Sequence, residues 1–550
     1  MYIRTISRKN KDGSKATYVQ LAHNERDSKK GYAKATVLYN FGRIEDLDVE
    51  QLKRLVKSIS RFLPPQDALE SQVLLKHRGS SFKWNWTRSF GGAYLLSALW
   101  QQLHFSDLLE KRVTKRQYRT PISQAIFAMV TNRCLAPSSK LSITEWIEKD
   151  VFINGIENLE VQVLYRAMDF LLAHQAAIEQ EVYWAVADLL NLEVDLILFD
   201  TTSTYFETEV ESELKKHGYS KDKRGDLPQV IIGLAVTRDG IPVKHWVFPG
   251  NTMDMSTIEQ VKKDLVAWRL SRVIFVHDEG MTSAANLQYL QRGGGHYIAG
   301  CKLRSGEARA EHALSHKGPY TTIDEHLFAK EIVLGDGAKR KRLVLVKNTQ
   351  EQKRAEETRK QLIQTLEEKI KPFNDRQKKS SDNKALQALK SHRLYGKYLI
   401  ELKDGRLKID QEKFHSESRY DGKYLLESSD DTLSLRDIVL GHKQLYDVEQ
   451  AFRTLKTTLE LRPNYHSRDD RIKCHILLCF MALVLARIVE HKTQKTWSHV
   501  RSEMARLHCG EFQIEAKKFR QLTELTTEQK ELLKNLNIKE PNIIVDIQDI

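Results

Sequence analysis

The chain has 550 residues, a formal net charge of +14, and 87 Lys and Arg against 73 Asp and Glu. That length is more than one hydrophobic core uses, so several domains are expected, and the positive balance favours a polyanionic partner. The five cysteines, Cys134, Cys301, Cys474, Cys479 and Cys509, are odd in number and scattered, which argues against a disulfide framework and for a reducing compartment.

Residues 1–65 read as a small basic α+β unit. YIRTI, ATYVQLA and AKATVLYNFG alternate in the strand manner, with a turn at Asp12-Gly13, and Ile44 to Phe62 has helical spacing. Arg4, Arg8, Lys9, Lys11, Lys15, Lys29 and Lys30 make this unit basic; it either touches DNA or presents a solvated sheet face. Pro64-Pro65 ends it, and residues 66–90 read as a linker carrying Trp84 and Trp86, which pack on a neighbour or stack on bases. Residues 91–190 read as all-helical. A basic cluster of Lys111, Arg112, Lys115, Arg116 and Arg119, followed by Arg133, Lys140 and Trp146, makes this a candidate DNA-binding domain or a solvated scaffold.

Residues 191–301 carry two acids placed alike. VDLILFDTTSTYF is a continuous apolar run that stops on Asp200; RVIFVHDEGM stops on Asp278. Such runs suit strands buried on both faces, and an acid at the carboxyl end sits where open α/β sheets hold ligands. The bland alternative is a strand ending on a solvated Asp. Between the two lie a basic loop with Lys221, Lys223 and Arg224, a hairpin turning at Asp239-Gly240, a Pro249-Gly250 break, and a helix expected to be capped by Asp254.

Residues 302–435 read as an insertion with strands such as RLVLVK and YLIEL around a charged helical arm between Gln350 and Lys390. Tyr420 to Ser428 reads as the strand returning to the core. In residues 436–490, Val448, Phe452, Leu455 and Leu459 line one helix face, with Glu449, Arg453 and Lys456 beside them. Cys474, His475 and Cys479 lie in an apolar run and are expected in the core rather than on a metal. The longest such run, Ile476 to Ala486, is too short to span a bilayer. Residues 491–550 read as a helical tail, and the N-terminus lacks a signal-like apolar region.

The order strand with acid, hairpin, helix, strand with acid, helix with acid, together with the DTTS, GNTMD and HDEGM stretches, resembles the DDE transposases of bacterial insertion sequences. The resemblance implies an α/β fold with a ribonuclease-H-like mixed sheet, interrupted by a β-rich insertion before the last catalytic helix. It implies Asp200, Asp278 and Glu449 as catalytic metal ligands, Asp200 bridging two Mg²⁺ ions, with Mn²⁺ as a substitute. Carboxylates and water suit such hard ions; His277 suits them less, and Glu279 should face the opposite side if its strand continues. The partners implied are double-stranded DNA, as terminal inverted repeats and target, and a second copy of the chain in a homodimer. The expected place of action is the cytoplasm, at the nucleoid, with no membrane.

Relatives carry Tyr, Arg, Glu and Lys at fixed spacing on the last helix. Counting from Glu449, Lys456 matches, but the Tyr position is His442 and the Arg position Leu445. Arg453 is the expected substitute phosphate contact, or else an ion-pair partner of Glu449. Arg462, Lys221, Lys223 and Arg224 complete the expected DNA-binding set. Two other functions remain open at this point: a transposase-derived DNA-binding protein without catalysis, and a metal-dependent nuclease or hydrolase of another class.

Overall fold

The computed structural model describes residues 1–9, 15–26, 33–63, 82–113, 121–190, 192, 195–268, 270, 273–304, 306–336, 340–374, 382–392, 395–402, 406–514 and 517–549. The Asp12-Gly13 turn, Lys11, Lys29, Lys30, the Pro64-Pro65 break, and Lys115, Arg116 and Arg119 lie outside these residues, as does part of the charged arm.

One compact unit comprises residues 1–86, 510–523 and 541–550. Tyr2–Lys9, Lys15–Arg26 and Ala33–Arg43 pair antiparallel in chain order. The helix Val49–Ser60 follows, and the Asp48 carboxylate accepts from the N–H groups of Glu50 and Gln51 at its start. A second sheet runs in the order Ile544–Asp549, Lys517–Leu522, His508–Ile514, Phe82–Ser89. Two expectations need correction here. The end of the 66–90 linker is a strand, and the 491–550 tail holds three strands beside its helices. Local periodicity could not show this, because the pairing partners are far apart in the chain: Asn85 bonds Glu511 at 3.0 Å across 426 residues. Trp84 stacks on Phe512, ring centroids 5.8 Å apart, so its face is used in packing.

The other unit comprises residues 87–509 and 524–540. Its helical part includes Ile122–Leu135 and Val161–Ala173, and both pack against Asp469–Thr493. That helix is longer than the apolar run suggests. It is long and apolar enough to cross a membrane, yet 89% of its apolar window is buried within the protein. A helix apolar all round is expected at the centre of a large core. Cys474, His475 and Cys479 are buried there.

Arg133, Lys140 and Trp146 are buried as well, which removes them from any DNA-facing basic surface. The Arg133 guanidinium donates to the carbonyls of Ser138 at 2.8 Å and Glu460 at 3.1 Å. The Lys140 ammonium meets His475 Nδ1 at 3.0 Å. Burial, with Arg133 nearby, pushes Lys140 from 10.5 down to about 8. A depressed amine destabilises the fold below its folded pKa and regains that energy as pH rises towards the unfolded value. Lys140→Met is therefore expected to stabilise the protein at pH 7 by about 1–3 kcal/mol. The gain should shrink between pH 8 and 10.5. Thermal melts across that range check it, and a pH-independent difference would contradict it.

The same unit holds a nine-stranded mixed sheet. Leu196–Tyr205 lies inside it. On one side comes the antiparallel hairpin Gln229–Thr237 and Pro242–Pro249. On the other, Ile274–His277 and His296–Cys301 run parallel to it. Lys423–Ser428, Lys341–Asn348, Leu327–Leu334 and Thr321–Asp324 then extend the sheet antiparallel. Strands of the 302–435 segment thus continue the sheet, and Thr349–Asn374 and Asp382–Ser391 form its helical arm.

Successive side chains on a strand point to opposite faces. Ile197 and Phe199 face the helices Ile258–Ala267 and Ala284–Gln291, in a core with Trp246, Phe275, Val261 and Leu287. Leu196, Leu198 and Asp200 therefore face the opposite side. Leu196 and Ile298 there lie near Gly441 of the helix Leu435–Lys443.

Candidate active site

The parallel pairing of Leu196–Tyr205 with Ile274–His277 matches Leu196 with Ile274 and Leu198 with Val276. Asp200 and Asp278 share that same offset, so both acids come level on the same face of the sheet. Neighbouring strands lie about 4.8 Å apart. The short strand ends at His277, and Asp278 opens a tight turn, Glu279–Met281. The helix Leu445–Arg453 packs on this face and brings Glu449. The result is a cavity of about 370 Å³ lined by all three expected acids and by His442, Tyr424 and Tyr446.

Glu279 also lines this cavity. The expectation that it points to the opposite side is conditional on a continuing strand, and the strand ends at His277, before it. His277 is fully buried, with Nδ1 3.0 Å from the Asp278 carbonyl oxygen, and burial lowers it to about 4. It belongs to the core beside Phe275.

Asp254 does not cap the helix that comes after it. The chain makes a tight turn at Asp254–Ser256 first, and the helix starts at Ile258 without a side-chain cap. Freed from that role, the Asp254 carboxylate accepts from Thr201 Oγ1 at 2.5 Å. The Lys221 ammonium sits 3.2 Å from Asp254 and 3.7 Å from Asp200, and donates to the Thr201 carbonyl at 2.7 Å. Sequence reasoning missed Asp254 as a site residue. The GNTMD stretch was the available signal, but helix capping explained it equally well.

Burial raises Asp200 to about 6, with Asp254 and Asp278 adding to the rise and Lys221 opposing it. Four acids, Asp200, Asp278, Glu279 and Glu449, line the cavity with one lysine, Lys443, and the Lys221 ammonium 3.7 Å from Asp200 offsets part of their charge. Burial lowers His442 to about 4, against the pull of Asp278, so its imidazole is neutral at pH 7. Among the described residues, its Nε2 is buried without a hydrogen-bond partner. Gly300 lets the strands and helix meet this closely: a Cβ there would lie 2.8 Å from the Glu279 nitrogen and 3.2 Å from His442 Nε2.

The donor set fits a hard divalent ion in kind, being carboxylate oxygens around a cavity short of positive charge. Among the described residues, no group of three or more His, Cys, Asp and Glu closes around a single ion position. The acids line one cavity without meeting at a point.

The expected DNA contacts divide. Lys456, in the π-helical turn Thr454–Thr458, pairs with Asp222 at 2.9 Å, and Arg462 reaches the same carboxylate at 3.3 Å. Arg224 is engaged by Asp226 at 2.9 Å and lies over the Tyr205 ring. Lys221 is held inside the acid cluster. Lys223 and Arg453 are exposed. Arg453 forms no ion pair with Glu449 among the described residues, so it is available to a ligand.

Comparison with known families decides the identity. The family model described as "Transposase DDE domain" matches residues 195–485, and "IS1634 family transposase, N-terminal domain" matches residues 3–69. The chain belongs to the DDE transposases of insertion sequences. DDE transposases cut and rejoin DNA with divalent metal ions, so DNA is the partner class of this transposase. No curated protein matches. Among solved structures, a piggyBac transposase synaptic complex with hairpin DNA is 8% identical, with a TM-score of 0.36, covering 75% of this chain and 78% of that one. So distant a likeness says nothing about how this transposase works.

Proposed function

We propose that this transposase binds the terminal inverted repeats of its own element, cleaves the DNA at the ends and joins the freed 3′ ends to target DNA. The observation that carries the catalytic part is the shared cavity: Asp200, Asp278 and Glu449 come from two strands and a helix, far apart in sequence, and line one space. Asp200, Asp278 and Glu449 would hold two divalent ions, Asp200 serving both and the other two acids one each. Two divalent ions, Mg²⁺ or Mn²⁺, supply an activated oxygen nucleophile and neutralise the leaving oxyanion when bound. The sheet order, with the first acid strand between its hairpin and two parallel strands, supports a ribonuclease-H-like core.

The chain's own groups do the rest. Lys221 balances Asp200 and Asp254 while no DNA is bound. Lys456, Arg453 and Arg462 hold backbone phosphates beside the acids. Residues 91–190 serve as the end-holding domain, and a homodimer brings the two ends together. A DNA-binding protein without catalysis would not need three acids about one cavity. A plasmid carrying the element's ends tests the reading: the full chain with Mg²⁺ should excise and reinsert the marked segment. Binding to the ends without any cleavage, in Mg²⁺ and in Mn²⁺, would overturn it.

Lys456→Ala is expected to weaken DNA binding and to make the plot of log affinity against log salt shallower by about one unit. Anisotropy titrations at several salt concentrations check this, and an unchanged slope would rule out a phosphate contact.

A further inference from the structure

Beyond the acids, the strand Leu196–Tyr205 runs on into a second and larger cleft of about 900 Å³. Tyr205, Phe206, Lys215, Lys456, Arg462 and Tyr465 line it, and the Arg462 guanidinium lies over the Tyr205 ring, 4.7 Å from its centroid. Tyr205 lies five residues past Asp200, about 17 Å along an extended strand, or roughly five base steps of DNA.

Lys215 is 3% exposed. Among the described residues no carboxylate pairs with it. Its ammonium lies over the Phe206 ring, 5.8 Å from the centroid, and a cation–π contact offsets only part of the desolvation of a buried charge. Lysines are almost never this buried without a partner. Lys456 and Arg462, which line the same cleft, share one carboxylate, that of Asp222. Glu211, which also lines the cleft, is already engaged by Lys216 and His217. Asp222 thus stands between two cations as a phosphate would, while Lys215 has no anion among the described residues. Tyr465 is 74% exposed at the rim and offers an aromatic face to a sugar or base.

We propose that this cleft is the track for one backbone strand of the bound DNA, and that Lys215 is its buried phosphate ligand. The proposal rests on the chain acting on DNA, as above, and adds a surface and a residue to that reading. The strand leaves the acids, passes between Lys456 and Arg462, where its phosphate displaces Asp222, and reaches Lys215.

The test is equilibrium binding of the full chain to a fluorescein-labelled DNA duplex of arbitrary sequence, over a range of KCl concentrations. Lys215→Gln should weaken binding roughly fivefold and reduce the salt slope by about 0.9. Lys215→Arg should restore the slope. Ser467→Glu, which adds a carboxylate at the exposed rim without disturbing the buried lysine, should weaken binding by a similar factor and decides the matter if Lys215→Gln does not fold. Wild-type affinity and slope in Ser467→Glu and in a folded Lys215→Gln would overturn the proposal. So would polyglutamate displacing the duplex as well as unlabelled DNA does, which would make this a site for acidic peptides. Asp278→Ala separates the two readings: it should lose cleavage while keeping the wild-type salt slope, whatever the cleft variants do.

Discussion

Asp278→Ala is expected to reduce cleavage at the element's ends by about a thousandfold or more, with binding to those ends unchanged. The size of the effect comes from position. Asp278 lies level with Asp200 at the end of a parallel strand pair, and the pairing that aligns them is internal to the sheet. Removing one carboxylate leaves Asp200 without a partner for the same ion, and a water in its place carries no charge. Glu279 is the rival in the adjoining turn, and it lines the same cavity. Glu279→Ala should nevertheless retain cleavage within about tenfold of wild type, a rise of about 1.4 kcal/mol in the barrier at most. Gel assays of end cleavage with both variants, alongside binding titrations, check the pair. Full activity in Asp278→Ala, or the two variants exchanging places, would move the catalytic role off Asp278.

The second large effect concerns the face of the sheet opposite the acids. Phe199 is fully buried beside Asp200, edge-on to Trp246 at 5.6 Å and tilted against Phe275 at 5.7 Å. Gly233 on the paired strand leaves the room its ring fills, since a Cβ there would lie 3.0 Å from the ring. Phe199→Ala should destabilise this unit by about 3–5 kcal/mol, from lost transfer energy and the cavity left behind. A thermal melt should show a clearly lowered midpoint, whereas Asp278→Ala should melt near wild type. If Phe199→Ala melts like wild type, the packing described for this sheet is wrong.

Phe199 and Asp200 are neighbours in a stretch that is readable from sequence, and the reason is physical. LILFD is buried on both faces, so its apolar run is unbroken and its acid stands out. The last helix is readable because one face is apolar at helical spacing and Glu449 lies beside it. Other features depend on contacts that no local pattern records. Asp254 serves the acid cluster because the chain turns once before its helix begins, and a cap and a cluster member look alike in sequence. Arg133 and Lys140 read as surface charges, yet carbonyl groups and His475 hold them inside. The strands of the C-terminal segment pair with a strand from the other end of the chain. Lys215 reads as one more cation in a basic loop; its burial, with no carboxylate paired to it among the described residues, sets it apart.

The function proposed for this transposase depends on hard cations being held between the acids of the strands and the acid of the helix. The most direct measurement is anomalous scattering from crystals of the transposase grown with Mn²⁺ and a DNA end. Peaks at roughly 2.1–2.2 Å from carboxylate oxygens of Asp200, Asp278 and Glu449 are the result expected. Manganese bound elsewhere, with these three side chains free of it while DNA occupies the site, would contradict it.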